Sequence, residues 1–240
     1  MPTLLLDVGN TRLKWASWSE DRLQPGGAQT HAGAPDEGLE ALPAPAASVW
    51  VCDVLGGRAR ERLAAAIARR WGCAAHFAVA QAQWKGLRNG YPEPERLGAD
   101  RWLAMIAARA RSAQELCVVG AGTALTVDLV DAEGSHLGGV IAPGLSAMRA
   151  AVLGATRFEH RVAVEPRGWL GGDTEQAVAL GALHAAVGLV ERLLRRYPTT
   201  TGFVHGGDAA RLLPHLGDGW HHAPDLVLEG LALEAAESRR

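Results

Sequence analysis

The chain of 240 residues lacks the features that mark several classes of protein. It has only three cysteines, Cys52, Cys73 and Cys117. They stand far apart with no CxxC or CxxH spacing, so neither a zinc motif nor a disulfide framework is readable, and reduced, buried thiols are expected. It has no excess charge of either sign, since 24 Lys+Arg stand against 26 Asp+Glu for a formal charge of −2. Polynucleotide binding leaves a strongly basic footprint, so no nucleic acid is expected and the partner should be a small molecule. No apolar run approaches the roughly 18 residues that span a bilayer. The apolar start, Leu4, Leu5 and Leu6, breaks at Asp7, too short for a signal peptide. The expectation is a cytoplasmic protein without a membrane partner, folded throughout because no low-complexity tract interrupts it.

What is present is a chain 48% hydrophobic, long enough to bury roughly 70 to 75% of its unfolded surface in one large domain or two smaller ones. A buried strand at residues 3–6 leads through the turn DVGNT into a possible hairpin partner at 12–18. Residues 24–48, rich in Pro, Gly and Ala, read as a surface loop with little chemistry. A strand at 49–54, an amphipathic helix at 58–71 with apolar positions 63, 66 and 67, and a strand near 76–80 follow. The loop KGLRNGYPEPERLGADR (85–101) then leads into a helix from about 101 to 111.

At residues 117–129 the pattern resets. CVVGAGTALTVDL repeats the opening grammar of apolar strand, small-residue turn and β-branched strand, setting Asp7 against Gly120, Gly9 against Gly122, Asn10 against Thr123 and Thr11 against Ala124. The repeat predicts two related α/β lobes, residues 1–112 and 113–240, with the last helix able to pack on the first lobe. After a turn at 131–135 and the segment 137–153 comes a long helix at 172–197, marked by capping-box spacing of Asp173 and Gln176. A strand-turn unit at 202–213 precedes a closing helix from near Asp225.

Four segments can carry chemistry. DVGNT places a carboxylate at a strand end before Gly and two small hydrogen-bonding residues, which suits close approach to a phosphate and leaves Asp7 for a metal or water. It equally suits a hairpin in which Gly-Asn supplies positive φ angles. It is neither a Walker loop nor a dinucleotide GxGxxG. AGTALTVD (121–128) carries the same two readings for Gly122, Thr123 and Thr126, and the glycines of HGGDAARL (205–212) can lie against a base or ribose or simply connect a strand to a helix. LGADRW (97–102) sets Asp100 beside Arg101 before a helix. Asp100 is either an N-cap or the carboxylate that orients an alcohol and accepts its proton in phosphoryl transfer, with a cation close to the moving charge. His184 reads as a packed helix residue, His221 and His222 have no metal spacing, and the tryptophans form no base-stacking series.

DVGNT, GADR, GTALTVD, LGGVIAPG and HGGDA occur in the order and at about the spacing of the type III pantothenate kinases, which the chain resembles from Leu4 to about Leu231. The resemblance implies an α/β fold of two ribonuclease-H-like lobes, as in the acetate kinase, sugar kinase and actin superfamily, with nucleotide in the interlobe cleft. It implies ATP-dependent phosphorylation of pantothenate, the first step of coenzyme A synthesis, by a homodimer. Asp7, Val8, Gly9, Asn10, Thr11, Arg12, Leu13 and Lys14 would form the first ATP-binding turn, with Asp7 a candidate for Mg²⁺, and Thr123 would contact ATP from the second. Gly206 and Gly207 would lie on the adenosine side. Tyr91, Gly98, Ala99, Asp100, Arg101 and Thr174 would line the pantothenate pocket, with Asp100 as the catalytic base.

One position departs from the family pattern. Many members carry Asp three residues before the GTA threonine as a ligand for a monovalent cation, K⁺ or NH₄⁺, where this chain has Gly120. Weak or no K⁺ activation is therefore expected, and Gly120→Asp should create cation sensitivity if the geometry is otherwise intact. A kinase of another small alcohol on the same fold and a non-catalytic nucleotide-binding regulator are the alternatives.

Overall fold

The computed structural model describes residues 2–43, 46–155 and 164–239. Strand β1 (Thr3–Val8) is buried everywhere except at the half-buried Asp7, as befits the middle of a sheet covered on both faces. Its antiparallel neighbour β2 (Arg12–Ser19) pairs in turn with β3 (Arg22–Thr30), and on its other edge β1 runs parallel to β4 (Ser48–Asp53), which pairs with β5 (Ala75–Phe77). The strand order is β3-β2-β1-β4-β5. Side chains alternate across a strand, so Leu4, Leu6, Val8, Val49 and Val51 share one face. Helix α1 (Gly57–Trp71) covers that face with Leu63, Ala66 and Ile67. Leu5, Asp7, Trp50 and Cys52 share the other, against which α2 (Ala99–Arg111) and α6 (Leu226–Glu237) pack. A Cβ at Gly230 on α6 would fall 2.0 Å from the Leu103 carbonyl of α2, so glycine there permits the close packing of the two helices. A small hairpin, β6 (Gln83–Trp84) and β7 (Leu87–Arg88), precedes α2.

Residues 1–111 and 225–240 form this first unit, and residues 112–224 form a second. The second repeats the same plan. Strand β8 (Leu116–Ala121), buried throughout, pairs antiparallel with β9 (Ala124–Val130), which pairs with β10 (His136–Pro143). The other edge of β8 runs parallel to β11 (Thr201–His205), which pairs with β12 (Trp220–His222), giving the order β10-β9-β8-β11-β12. Helix α3 (Leu145–Ala155) follows β10, and the four-residue α5 (Ala209–Leu212) follows β11. A buried Asp128–His136 pair, 2.9 Å apart, ties β9 to β10 where the register bulges at Gly138.

Helix α4 (Thr174–Arg196) is long and apolar enough to cross a membrane by length and composition. Its stripe of Ala182, Leu183, Ala186, Val187 and Val190 instead lies in the core of the second unit with Val119, Val127 and Val204. Asp173 caps α4 by accepting from Gln176 N–H at 2.7 Å. The Gln176 side chain does not return to complete a capping box. It holds the Glu165 carbonyl and the Arg167 N–H, so only half of the motif forms.

The structure corrects several sequence expectations. The stretch 24–48 is not simply a loop: most of β3 and a 3₁₀ turn (Pro35–Ala41) lie within it. Strand β3 has little apolar alternation because it is an exposed edge. The strand expected at 76–80 is the shorter β5, and although all three cysteines are free, Cys73 is only half-buried. In the internal repeat, Gly9 N–H donates to Arg12 O, whereas Gly122 N–H donates to Ala124 O. The second hairpin is thus one residue shorter, so Ala124 corresponds to Arg12 and not to Thr11. Asp173→Ala is expected to destabilise the second unit by about 1 kcal/mol, and Asp173→Asn to retain most of the stability, read from urea unfolding of the full chain.

Candidate active site

The turn after β1 closes with the Gly9 N–H to Arg12 O bond of 2.9 Å. Neither Gly9 nor Asn10 has a positive φ, which rules out the type of hairpin turn the Gly-Asn pair suggests. A Cβ on Gly9 would meet only the Arg12 carbonyl, at an ordinary 3.5 Å, so internal packing does not require glycine there. Val8 and Leu13 are core residues and can offer a ligand only backbone, whereas Asn10, Thr11 and Arg12 are exposed. His31 braces the turn. Its Nδ1 accepts from Gly33 N–H at 3.2 Å, which leaves Nε2–H to donate to Gly9 O at 3.0 Å. His31 N–H also donates to Thr11 O. Sequence reasoning missed this residue, because it sits in the stretch that seemed devoid of chemistry and has no telling neighbour.

Asp7 lies directly opposite Lys14 across the β1–β2 pair, and residues so placed present their side chains on one face. Burial pushes its carboxyl up to about 7; the Lys14 ammonium lowers it, and the carboxylates of Asp100 and Asp225 raise it further. Asp7, Asp100 and Asp225 are therefore electrostatically coupled, brought to one face of the first sheet by β1, the start of α2 and the start of α6. Asp225 was also missed as a site residue; the sequence marked it only as the beginning of the last helix. Beside Asp7 in the sheet, the Cys52 thiol is pushed well up by burial, with Asp7 adding to the effect.

Asp100 is not the N-cap. Gly98 O accepts the first helical bond, from Trp102 N–H at 3.0 Å, and Asp100 is the second residue of α2. Its Oδ1 accepts from the Arg101 N–H at 2.8 Å. A Cβ at position 98 would fall 2.6 Å from that same Oδ1, so Gly98 makes room for the carboxylate to fold back. Arg101 is 6% exposed, and its Nη1 donates to Tyr91 Oη at 3.0 Å with the guanidinium over the ring. Tyr91 is set by Asn89, whose Oδ1 accepts from Tyr91 N–H while its Nδ2 holds the carbonyls of Gln81 and Pro94. The structure thus joins Tyr91, Gly98, Ala99, Asp100 and Arg101 in one constellation, and adds Asn89, hinted at only by an Asn-Gly dipeptide. Thr174, exposed as the first residue of α4, belongs to the second unit.

In the second unit three segments converge at the end of β8. Gly144 N–H donates to Thr123 O at 3.0 Å, and Asp208 N–H donates to Ala121 O at 3.0 Å. Gly206, at φ +95°, sits so close to Ala121 that a Cβ would fall 2.3 Å from its carbonyl. The GTA, APG and HGGD motifs are therefore one assembly, with Thr123 exposed on it. Gly120 pairs with Thr126 on β9 and His205 on β11. A Cβ there would lie 2.6 Å from Thr126 Oγ1 and 3.2 Å from His205 Nε2, so the space beside residue 120 is already filled by two side chains. His184 packs as expected, stacked on Trp169 with its Nε2 at 2.9 Å from the Trp169 carbonyl.

The structure shows an open turn with reachable backbone, electrostatically coupled carboxylates, and a buried arginine whose backbone N–H donates to the neighbouring Asp100 carboxylate. Comparison with known proteins identifies the family. The profile of the family described as type III pantothenate kinase matches residues 3–196. The type III pantothenate kinase of Nitrosococcus oceani is 36% identical over 259 residues, covering 99% of this chain and 95% of its own. Among solved structures, a Campylobacter jejuni protein titled a putative Baf family transcriptional activator aligns with a TM-score of 0.65 at 19% identity, covering 98% of each chain. A ROK family glucokinase from Streptomyces griseus, solved with glucose and AMPPNP, aligns at 0.51 and 13% identity over 99% of this chain and 100% of its own. The mixed α/β fold is shared with these two solved structures, and the chain belongs to the type III pantothenate kinase family.

Proposed function

We propose that this protein transfers the γ-phosphoryl group of ATP to pantothenate, forming ADP and 4'-phosphopantothenate, the first step of coenzyme A biosynthesis, in the cytoplasm and as a homodimer. Family membership supports the reaction. The observation that supports the residue assignment is Asp100 at the start of a helix, its carboxylate accepting from the backbone N–H of the buried, Tyr91-bound Arg101 and electrostatically coupled to Asp7. Asp100 accepts the proton of the substrate's primary hydroxyl as its oxygen attacks the γ-phosphorus and the bond to ADP breaks. Tyr91 and Arg101 orient the acceptor, and the substrate role of Thr174 rests on its family position. The turn from Asp7 to Lys14 offers backbone amides and an ammonium to the phosphates, and Thr123, Gly206 and Gly207 are assigned to the nucleotide. The alternative acceptors and the non-catalytic reading have no comparable support in the relatives.

The donor set suits Mg²⁺, which takes one or two carboxylates together with substrate phosphates and retained water. Among the described residues there is no group of three or more His, Cys, Asp or Glu able to hold a metal unaided, but Asp7 supplies one hard oxygen donor. Bound there, Mg²⁺ would offset triphosphate charge.

The first test is ADP release from MgATP with and without pantothenate; turnover indifferent to pantothenate would overturn the assignment. Asp100→Asn should lower kcat by about 10² to 10⁴ while ATP binding survives. Gly98→Ala, which displaces the Asp100 carboxylate without removing it, should lower kcat by about tenfold or more. A near-wild-type rate in both variants would remove Asp100 from the mechanism.

Asp7 also gives a signed stability prediction. Its carboxyl holds a proton in the folded chain up to about pH 7, but in the unfolded chain only up to its ordinary value of 3.8. Folding stability linked to Asp7 is therefore fully present below about pH 4 and lost as the pH rises through 7. Asp7→Asn should abolish turnover yet raise Tm relative to wild type above neutrality, with the gain shrinking toward acid pH. A gain independent of pH would contradict this account.

For the monovalent cation we expect turnover in Na⁺ buffer with little change on adding K⁺. The geometry that the sequence expectation for Gly120→Asp required is not present: the introduced carboxylate would enter against Thr126 and His205, so the single substitution should pair with His205 and, contrary to that expectation, leave the enzyme insensitive to K⁺. Strong K⁺ activation of the wild type, measured against choline, would refute the inference from Gly120.

A further inference from the structure

The segment after β3 reaches the turn between β1 and β2 at two carbonyls. His31 N–H donates to Thr11 O at 3.0 Å, and His31 Nε2–H donates to Gly9 O, also at 3.0 Å. The second bond changes how the turn is closed. In an ordinary four-residue turn the first carbonyl accepts from the fourth N–H, which here would join Gly9 O to Arg12 N–H. Gly9 O bonds to the His31 ring instead, and the turn closes in the other direction, from Gly9 N–H to Arg12 O at 2.9 Å. A trans peptide is planar, with its C=O and N–H directed oppositely. Because the Gly9 and Thr11 carbonyls both point to His31, the N–H groups of Asn10 and Arg12 are directed away from it. Both residues are exposed, and backbone N–H groups gathered in a turn make an anion-binding concavity.

The His31 ring is itself held from behind. Its Nδ1 accepts from Gly33 N–H at 3.2 Å, and Gly33 has φ +82°, a conformation that favours glycine. Gly33 O in turn accepts from Arg62 Nη2 of α1 at 3.1 Å, while Arg62 Nε lies 3.4 Å from Asp36 Oδ1. Leu39, in the 3₁₀ turn that follows, packs in one core cluster with Leu63 and Ile67 of α1. The hydrogen bonds therefore run from Arg62 through Gly33 and His31 to Gly9. The ring is fixed to a helix that covers the first sheet, and not only to its own loop.

We propose that His31 is a positioning residue for the nucleotide: it fixes the peptide planes after Gly9 and Thr11, so that the Asn10 and Arg12 N–H groups meet the phosphates of ATP without rearrangement. The role rests on the assignment of this turn to ATP. It is exerted through the backbone, and His31 takes no part in proton transfer. A turn that is competent for only a fraction of the time lowers apparent affinity by that fraction, so the effect falls on MgATP and not on pantothenate.

The test uses steady-state kinetics of the full chain. His31→Phe keeps a ring and removes both nitrogens; its KM for MgATP is expected to rise about tenfold, with the KM for pantothenate within about twofold of wild type. His31→Gln can place an amide N–H where Nε2 stands and should recover most of the MgATP value, whereas His31→Asn, too short to reach Gly9 O, should not. A substrate-free readout is amide hydrogen exchange at Gly9, whose N–H closes the turn: it should be faster by about tenfold or more in His31→Phe and near wild type in His31→Gln. A wild type that does not use ATP overturns the assignment of the turn and this role with it. With an active wild type, an unchanged MgATP KM in His31→Phe overturns the role of His31 alone. An equal rise in both KM values, or failure of His31→Gln to recover, also overturns it, because either marks a general loss of packing.

Discussion

The first unit is organised around a carboxyl whose surroundings discourage it from ionising. Asp7 interrupts an otherwise apolar central strand on the face covered by α2 and α6, and the starts of both helices bring further carboxylates, Asp100 and Asp225, within electrostatic reach. Like charges and low dielectric both favour the protonated form, and Lys14, directly across the hairpin, works against them. The arrangement costs stability wherever Asp7 ionises. It is retained by the surrounding packing: the tight α2–α6 contact at Gly230 and a strand whose other residues are all core.

The second unit repeats the strand order but not the electrostatics. At the position corresponding to Asp7 it has Gly120, enclosed by Thr126 and His205. Its turn is one residue shorter and is supported by the backbone hydrogen bond from Gly144 and by the close seat of Gly206. The same topology thus places a carboxylate in one unit where the other has a glycine.

Much of this was legible in the chain. The hairpin after DVGNT, the helix containing Ile67, the capped start of α4 at Asp173 and the restart of the pattern at Cys117 all follow from local rules of alternation, periodicity and capping. The motif order pointed to the family. The misreadings share a physical origin. Strand β3 lacks apolar alternation because it is an edge whose exposed side chains carry no burial signal, so Gln24 to Thr30 resembled loop. Asp100 looked like a cap because local sequence cannot say whether a helix begins before or after an acidic residue. Gly9 and Asn10 suggested positive φ angles, yet the bond to Arg12 O closes a turn without them.

By itself the sequence determined the chemical inventory and the local elements, because strand alternation, helix periodicity and the identity of Asp7, Asp100, Arg101 and Thr123 are properties of neighbours along the chain. Tertiary structure alone decided that His31 holds the Gly9 carbonyl, that Asp225 acts on Asp7 from a helix more than two hundred residues away, and that His205 and Thr126 fill the space beside Gly120. Those outcomes depend on which surfaces meet once the strands pair and the last helix returns to the first sheet. Burial and electrostatic coupling act through space, so no spacing in the sequence encodes them.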